Sequence, residues 1–204
     1  MSFIILPDQT MSLETKQSRR EQSHERILEA AARAVCREGY AGVGVASVMK
    51  EAGLTHGGFY AHFESREALL AAAVTHAGEK SVARLQERAG KMAAQGMSPL
   101  RALVEGYLSE MHLLAIDQGC PVAALASEMP RTGPELREVS VKRMHEVIRM
   151  VRDVLPDGSQ SGAAVAIAST MIGAMQMARM FEGEERDAVL RDCRAALLTQ
   201  YDRA

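Results

Sequence analysis

The chain has 204 residues, 47% of them hydrophobic but only 4% aromatic, so its core is built from aliphatic and methionine side chains. Lys and Arg number 24 against 26 Asp and Glu, a formal net charge of −2 that excludes a globally basic nucleic-acid binder but leaves room for a locally basic reading head. Three widely spaced cysteines, Cys36, Cys120 and Cys193, show no metal-ligand spacing and point to a reducing cytoplasm.

The opening MSFIILPDQT lacks a charged leader and a cleavage site, so a signal peptide is not expected. No apolar run approaches the roughly 18 residues of a membrane span. Residues 1–22 show no apolar periodicity and are expected to be a flexible tail. Its Arg19 and Arg20 are candidates for touching DNA phosphates, and Met11 is an alternative start to Met1. Ser23 is the expected cap of a first helix that ends at Gly39, with Ile27, Leu28, Ala31, Ala34 and Val35 on one apolar face. Lys16, Arg26, Arg33 and Arg37 add positive charge nearby, diluted by glutamates. Cys36 beside the apolar face is read as a small buried hydrophobe.

The stretch Val45–Phe63, VASVMKEAGLTHGGFYAHF, reads as helix, tight turn, helix. Val45, Val48 and Met49 face inward, Gly53 takes the positive φ of the turn, and Leu54 plugs it. Thr55 is the expected cap of the next helix, in which Phe59 and Phe63 share a buried face. Gly57 and Gly58 cost roughly 1 kcal/mol each inside a helix. Either they fray its first turn or they allow close approach to a phosphate or base edge. Ser65 caps a further helix opening with Arg66.

Here the chain resembles the tetracycline-repressor (TetR) family of bacterial transcription regulators. The resemblance rests on Ile27-Leu28-x-Ala30-Ala31, Glu38-Gly39-Tyr40, Val48-Met49-x-x-Ala52-Gly53-Leu54-Thr55 and Gly58-Phe59-Tyr60-x-His62-Phe63-x-Ser65-Arg66-Glu67-x-Leu69-Leu70. It implies an all-α fold: a helix-turn-helix DNA-binding domain of three helices over 23–68, then a helical ligand-binding and dimerisation domain over 69–204. It implies that Thr55, His56, Gly57 and Gly58 begin the recognition helix in the major groove. Tyr60 and His62 fall at phosphate-contacting positions, and Arg66 stands where the family usually has a phosphate-directed lysine. The family's threonine at the start of the second helix is missing from Gly42-Val43-Gly44-Val45, and Ser47 is a poor substitute. His56 is the candidate for direct base readout, with a solvated or phosphate-facing role as the alternative.

Downstream, an amphipathic helix over 66–88 is followed by a break at 90–98. A Pro99-led helix to about Asp117 comes next, its stripe holding Leu103, Tyr107, Met111 and Leu114. Gly119-Cys120-Pro121 turns into a short helix, VAALASEM. The run ELREVSVKRMHEVIRMVRDVL forms another helix, closed by Pro156-Asp157-Gly158. The segment 161–181 is a helix rich in small residues, and 184–201 is the last. The resemblance implies that these last two pair with their copies in a homodimer. It also implies a pocket for a small-molecule effector. Its candidate lining is Leu103, Tyr107, Met111, Cys120, Met144, Ile148, Met171 and Met175, and ordinary core packing is the alternative for each. A helix N-terminus at Cys120 favours the thiolate, and the resemblance of this half to a TetR subgroup with a similar Gly-Cys turn implies that Cys120 senses electrophiles or oxidants, a structural role being the alternative. No catalytic or metal constellation occurs, and no cofactor or enzyme activity is expected. The expectation is a ligand-responsive repressor that binds a double-stranded palindromic operator. A purely structural helical dimer is the alternative.

Overall fold

The computed structural model describes the backbone of residues 8–202 and the side chains of residues 17–202. The start at Met1 and the side chains of Met11 and Lys16 lie outside the described residues. Among those described there are nine α-helices and no strand: α1 (Asp8–Gly42), α2 (Val45–Glu51), α3 (Arg66–Ala93), α4 (Pro99–Tyr107), α5 (Glu110–Leu114), α6 (Pro121–Leu125), α7 (Pro134–Arg152), α8 (Ala163–Ala178) and α9 (Gly183–Tyr201). Between α2 and α3 the segment His56–Ala61 is a 3₁₀ helix. This is the expected all-α fold, and no described helix is long and apolar enough to cross a membrane.

The first helix corrects the expected tail. Residues 8–22 are helical and continuous with α1, so Ser23 lies inside the helix and does not cap it. Local propensity explains this: Leu13, Glu14, Lys16, Gln17, Arg19, Arg20 and Glu21 are good helix formers even without an apolar stripe. Gln17 also donates to Glu21 one turn on (3.2 Å), and Arg20 donates to the carbonyl of Ala61 (2.9 Å), tying this extension to the 3₁₀ segment. At Gly39 the backbone leaves the helix with φ 71°, ψ 175°.

The core is continuous from the reading head into the rest of the chain. α3 is its spine. Leu69, Leu70, Ala73, Val74 and Ala77 are buried, and α1, α4 and α7 all pack against this helix. Ser65 accepts from the amide of Ala68, so its cap stands as read from the sequence, and Ser98, which the sequence reading left in the break, caps the Pro99-led helix by accepting from the amide of Arg101.

The long helix expected from Pro99 to Asp117 is broken. α4 stops at Tyr107, Leu108 leaves helical geometry at ψ 38°, and Ser109 caps the separate α5 by accepting from the amide of His112. Side chains take the place of the lost helical bonds. Arg88 of α3 donates to the carbonyl of Gly106 and to Ser109, and the His112 ring bonds the carbonyl of Tyr107. The break resets the phase of the apolar stripe, so Met111 and Leu114, each 63% exposed, face outward.

Candidate functional site

The turn that aims the reading head is a Schellman motif. Past α2, Gly53 sits at φ 68°; the amide of Leu54 bonds the carbonyl of Met49 (2.8 Å) and that of Gly53 bonds Lys50 (3.0 Å). A Cβ at Gly53 would lie 2.8 Å from Arg26, whose guanidinium donates to the carbonyl of Ala52, so the glycine serves both conformation and space. Leu54 is half-buried against the core.

The 3₁₀ segment stands on Phe59 and Phe63, both buried, with ring centroids 6.0 Å apart; His24 of α1 stacks on Phe63 at 4.7 Å. This platform leaves Thr55, His56, Gly57 and Tyr60 exposed, Tyr60 to 74%. Gly58 is half-buried over Met49. A Cβ at Gly57 would meet no atom within 4 Å and one at Gly58 only ordinary contacts, so nothing within the chain demands glycine there. Thr55 precedes the segment but makes no side-chain capping bond, contrary to expectation. In 3₁₀ geometry the amide of Gly58 bonds the carbonyl of Thr55 (3.1 Å), which occupies a donor the hydroxyl would have capped.

Ser47 is exposed on α2, whose N-cap Gly44 supplies no side-chain bond, in keeping with the missing threonine. His62 is half-buried, its Nδ1 enclosed and without a partner. Burial, then the nearby His24 and Arg20, pull its pKa below the usual histidine value. Among the expected basic residues, Arg33 pairs with Glu51 and Arg37 with Glu38, so neither is a free positive charge.

Arg66 departs most from its expected role. Its guanidinium turns inward, donating from Nε to the carbonyl of Val43 (3.0 Å) and from Nη2 to that of Tyr40. The last turn of α1, past the kink at Gly39, and the loop after it bring these carbonyls near the start of α3, and a forked cation binds both. Tyr40 is thereby held at three points. Its amide donates to the Glu128 carboxylate (3.0 Å), its carbonyl accepts from Arg66, and its hydroxyl lies 3.4 Å from Ser140 Oγ of α7. Glu128 Oε1 sits 2.5 Å from where a Gly39 Cβ would be. Tyr40 and Glu128 therefore link the reading head to the C-terminal helices. The Glu38-Gly39-Tyr40 motif hinted at Tyr40, but nothing local marks Glu128. Beside this latch a cleft of about 490 Å³ opens between Tyr40, Arg66 and Leu70 on one side and Arg131, Pro134 and Leu136 on the other.

The expected effector pocket is closed. Leu103, Met171 and Met175 are buried, Met144 and Ile148 half-buried, and these five pack into the core. Met111 lies on the surface after the break at Leu108. Only Tyr107 and Cys120 of the set line a common void, of about 20 Å³, between α3, α4, α6 and α7; that is room for about one water. Cys120 is the residue before α6, as expected, but it is buried. Its amide donates to His112 Nε2 (3.0 Å), while His112 Nδ1 lies 2.6 Å from the carbonyl of Tyr107, so the imidazole is held neutral with its proton on Nδ1. Burial pushes the His112 pKa down to about 4, against the opposing bond to Tyr107. Burial and then Cys120 push the Cys36 thiol up to about 12, in keeping with a packed, unreactive residue.

One group escaped the sequence reading: Glu25, Glu29 and His76 place potential metal-ligand atoms within 4.8 Å of one another, across α1 and α3. Lys80 Nζ lies 3.7 and 3.9 Å from the two carboxylates and supplies a cation there.

Residues 27–73 match the description of bacterial regulatory proteins of the tetR family, and residues 96–197 match that of a tetracyclin repressor-like C-terminal domain. The uncharacterized HTH-type transcriptional regulator Rv0196 of Mycobacterium tuberculosis is 28% identical over 188 residues, covering 86% of this chain and 94% of its own. The HTH-type transcriptional regulator LmrA of Bacillus subtilis is 28% identical over 160 residues, with 75% and 81% covered. Two solved structures share the fold. Reduced NemR of E. coli has a TM-score of 0.71 at 20% identity, covering 88% of this chain and 96% of its own. The regulatory protein TetR from Rhodobacter sphaeroides has a TM-score of 0.72 at 18% identity, with 88% and 98% covered. With both halves of the chain matched, the structure is that of a DNA-binding helix-turn-helix regulator of transcription, not an enzyme, and the chain belongs to the TetR family.

Proposed function

We propose that this regulator is a cytoplasmic repressor that binds a palindromic operator as a homodimer and releases it when a small molecule binds or Cys120 is modified. The observation that carries the DNA-reading part is the face of the 3₁₀ segment. His56, Gly57 and Tyr60 are presented to solvent on a buried aromatic platform, with open space where side chains at Gly57 would stand. That space suits close approach of a phosphate or base edge. Thr55 to Gly58 face the groove, with His56 the base reader; Ser47, Tyr60 and His62 are the backbone contacts. The inward bonds of Arg66 argue against a phosphate role for it.

The dimer is supported by α8 and α9. Val165, Met177, Met180 and Phe181 are exposed on or just beyond α8, and a Cβ at Gly173 would meet open space. Such a face allows close packing against a second copy. A twofold dimer fixes the separation of two reading segments and so of the operator half-sites.

Gel shifts with the duplex upstream of the chain's own gene, across a salt series, test the reading. Affinity is expected to fall steeply with salt. Tyr60→Phe should weaken binding on every duplex alike, and His56→Ala should relax base preference. No salt-dependent binding to any duplex would defeat the proposal in favour of a structural helical dimer. For Cys120, wild type and Cys120→Ser are compared after treatment with N-ethylmaleimide; equal loss of DNA binding would remove Cys120 as the sensor.

A further inference from the structure

Glu25 and Glu29 stand one turn apart on α1 and share a face, and His76 and Lys80 do the same on α3, the helix packed against it. The two faces meet. One potential ligand atom from each of Glu25, Glu29 and His76 lies within 4.8 Å of the other two. The polar gaps between the helices are all too long for hydrogen bonds. His76 Nε2 stands 3.8 Å from Glu25 Oε1, and Lys80 Nζ stands 3.7 Å from Glu25 and 3.9 Å from Glu29. Among the described residues, Lys80 is the one lysine or arginine in ion-pair reach of either carboxylate, so it balances one of two negative charges. Like charges at this helical spacing repel. The imidazole is enclosed, its side chain 13% exposed, with Nε2 turned to the carboxylates. A cleft of about 300 Å³, lined by Glu29, His76 and Asp117, opens at the same point.

We propose that Glu25, Glu29 and His76 form a site for a divalent first-row transition metal, zinc above all, that clamps α1 of the reading head onto α3. The inference stands apart from the effector reading and needs neither Cys120 nor a ligand pocket. The donor set selects the ion. Imidazole with carboxylates suits zinc and its neighbours, whereas calcium and magnesium take oxygen ligands and gain little from a histidine. Three protein ligands leave one position of a tetrahedral zinc for water, and the cleft gives water access.

Metal–ligand bonds of about 2.0–2.2 Å place the donor atoms of such a site about 3.3 Å apart. The group closes from 4.8 Å to that spacing by rotation of the two half-exposed glutamates, with the enclosed imidazole as the fixed point. Lys80 gives way to the metal. Its ammonium is half-exposed on a flexible stem and lies beyond hydrogen-bond length from both glutamates, so its departure into solvent costs little. Two carboxylates then balance one divalent ion.

The test uses the full-length protein without an affinity tag. Zinc chloride is titrated by calorimetry and cobalt chloride by visible absorption. One zinc per chain is expected, with the intense visible band of tetrahedral cobalt and a Tm that rises with zinc. Calcium and magnesium chlorides should bind far more weakly. The double variant Glu25→Gln/Glu29→Gln changes only surface side chains and should stay folded by circular dichroism. It should weaken zinc by at least the roughly 10–100-fold that follows loss of a group merely supporting a metal ligand, and His76→Gln should do likewise. Lys80→Met separates the proposal from a plain surface ion pair: zinc should bind more tightly once the competing cation is gone. No zinc binding at submillimolar concentration, zinc bound no more tightly than calcium, or zinc binding unmoved in the folded glutamate variant, as zinc held by the cysteines would be, would each overturn the proposal. So would a Lys80→Met variant that binds zinc no more tightly than wild type.

Discussion

His112 makes the stability of this protein depend on pH in a calculable way. The folded imidazole is neutral and bonded at both nitrogens, to the carbonyl of Tyr107 and the amide of Cys120. Its pKa falls from 6.5 to about 4, burial being the largest cause. The unfolded chain takes up the proton near pH 6.5 while the folded chain resists until near 4. The stabilisation is therefore complete above pH 6.5, is lost as pH falls from 6.5 toward 4, and changes no further below that. At about 1.4 kcal/mol per pH unit the whole loss is about 3 kcal/mol, with about 2 kcal/mol already gone by pH 5. The assay is urea unfolding from pH 7.5 to 4.5 for wild type and His112→Gln. Gln cannot titrate, but its side-chain oxygen can still accept from the Cys120 amide. The other five histidines are common to both proteins and cancel in the difference. Wild type should be the more stable at pH 7.5 and lose its lead by pH 5. Parallel stability curves across this range would refute the buried, neutral assignment.

Arg66→Met should cost about 2 kcal/mol of stability in urea unfolding, because it removes bonds to the carbonyls of Tyr40 at the end of α1 and Val43 beyond it. It should leave the salt slope of DNA binding unchanged; a slope reduced by about 0.9 would restore Arg66 as a phosphate contact. Gly39→Ala forces a side chain onto φ 71°, ψ 175° and toward the Glu128 carboxylate, and should cost about 1–3 kcal/mol for the backbone alone. Combined with Glu128→Ala it should destabilise by less than the sum of the two single changes, as measured by urea midpoints. Strict additivity would show that the two residues do not meet.

What could be read in the sequence was what depends on neighbours within a turn or two. The apolar faces of α1 and α3, the Gly53 turn, the Ser65 cap and the Pro99 helix start are local patterns, and all are present. What failed depends on distant side chains. Nothing between Pro99 and Asp117 announces that Arg88 will take the carbonyl of Gly106, yet that bond helps end α4 and turns Met111 outward. The inward turn of Arg66 is set by carbonyls that precede it by 23 and 26 residues. The extension of α1 to Asp8 failed for the opposite reason: propensity and a tie from Arg20 to Ala61 made a helix where apolar periodicity was absent. The DNA-facing residues were legible because a turn and two aromatic anchors leave few ways to orient the segment between them.

The latch at Tyr40 says how an effector bound among the C-terminal helices would reach the reading head. α6 walls the void and ends at Leu125, three residues before Glu128, whose carboxylate holds the Tyr40 amide at 3.0 Å. A shift of α6 by roughly 0.5–1 Å stretches that bond beyond useful length. A charge-assisted bond of this kind contributes about 1.5–3 kcal/mol, which is the size of a typical allosteric coupling and corresponds to roughly a 10–100-fold change in DNA affinity. If the latch carries the coupling, Glu128→Ala removes it. The variant should bind the operator with one affinity whether or not a saturating ligand is present, while ligand binding itself persists. An undiminished ligand effect on DNA binding in Glu128→Ala would place the coupling elsewhere, most directly in the contact of Arg143 with α3 at Thr75 and Gly78.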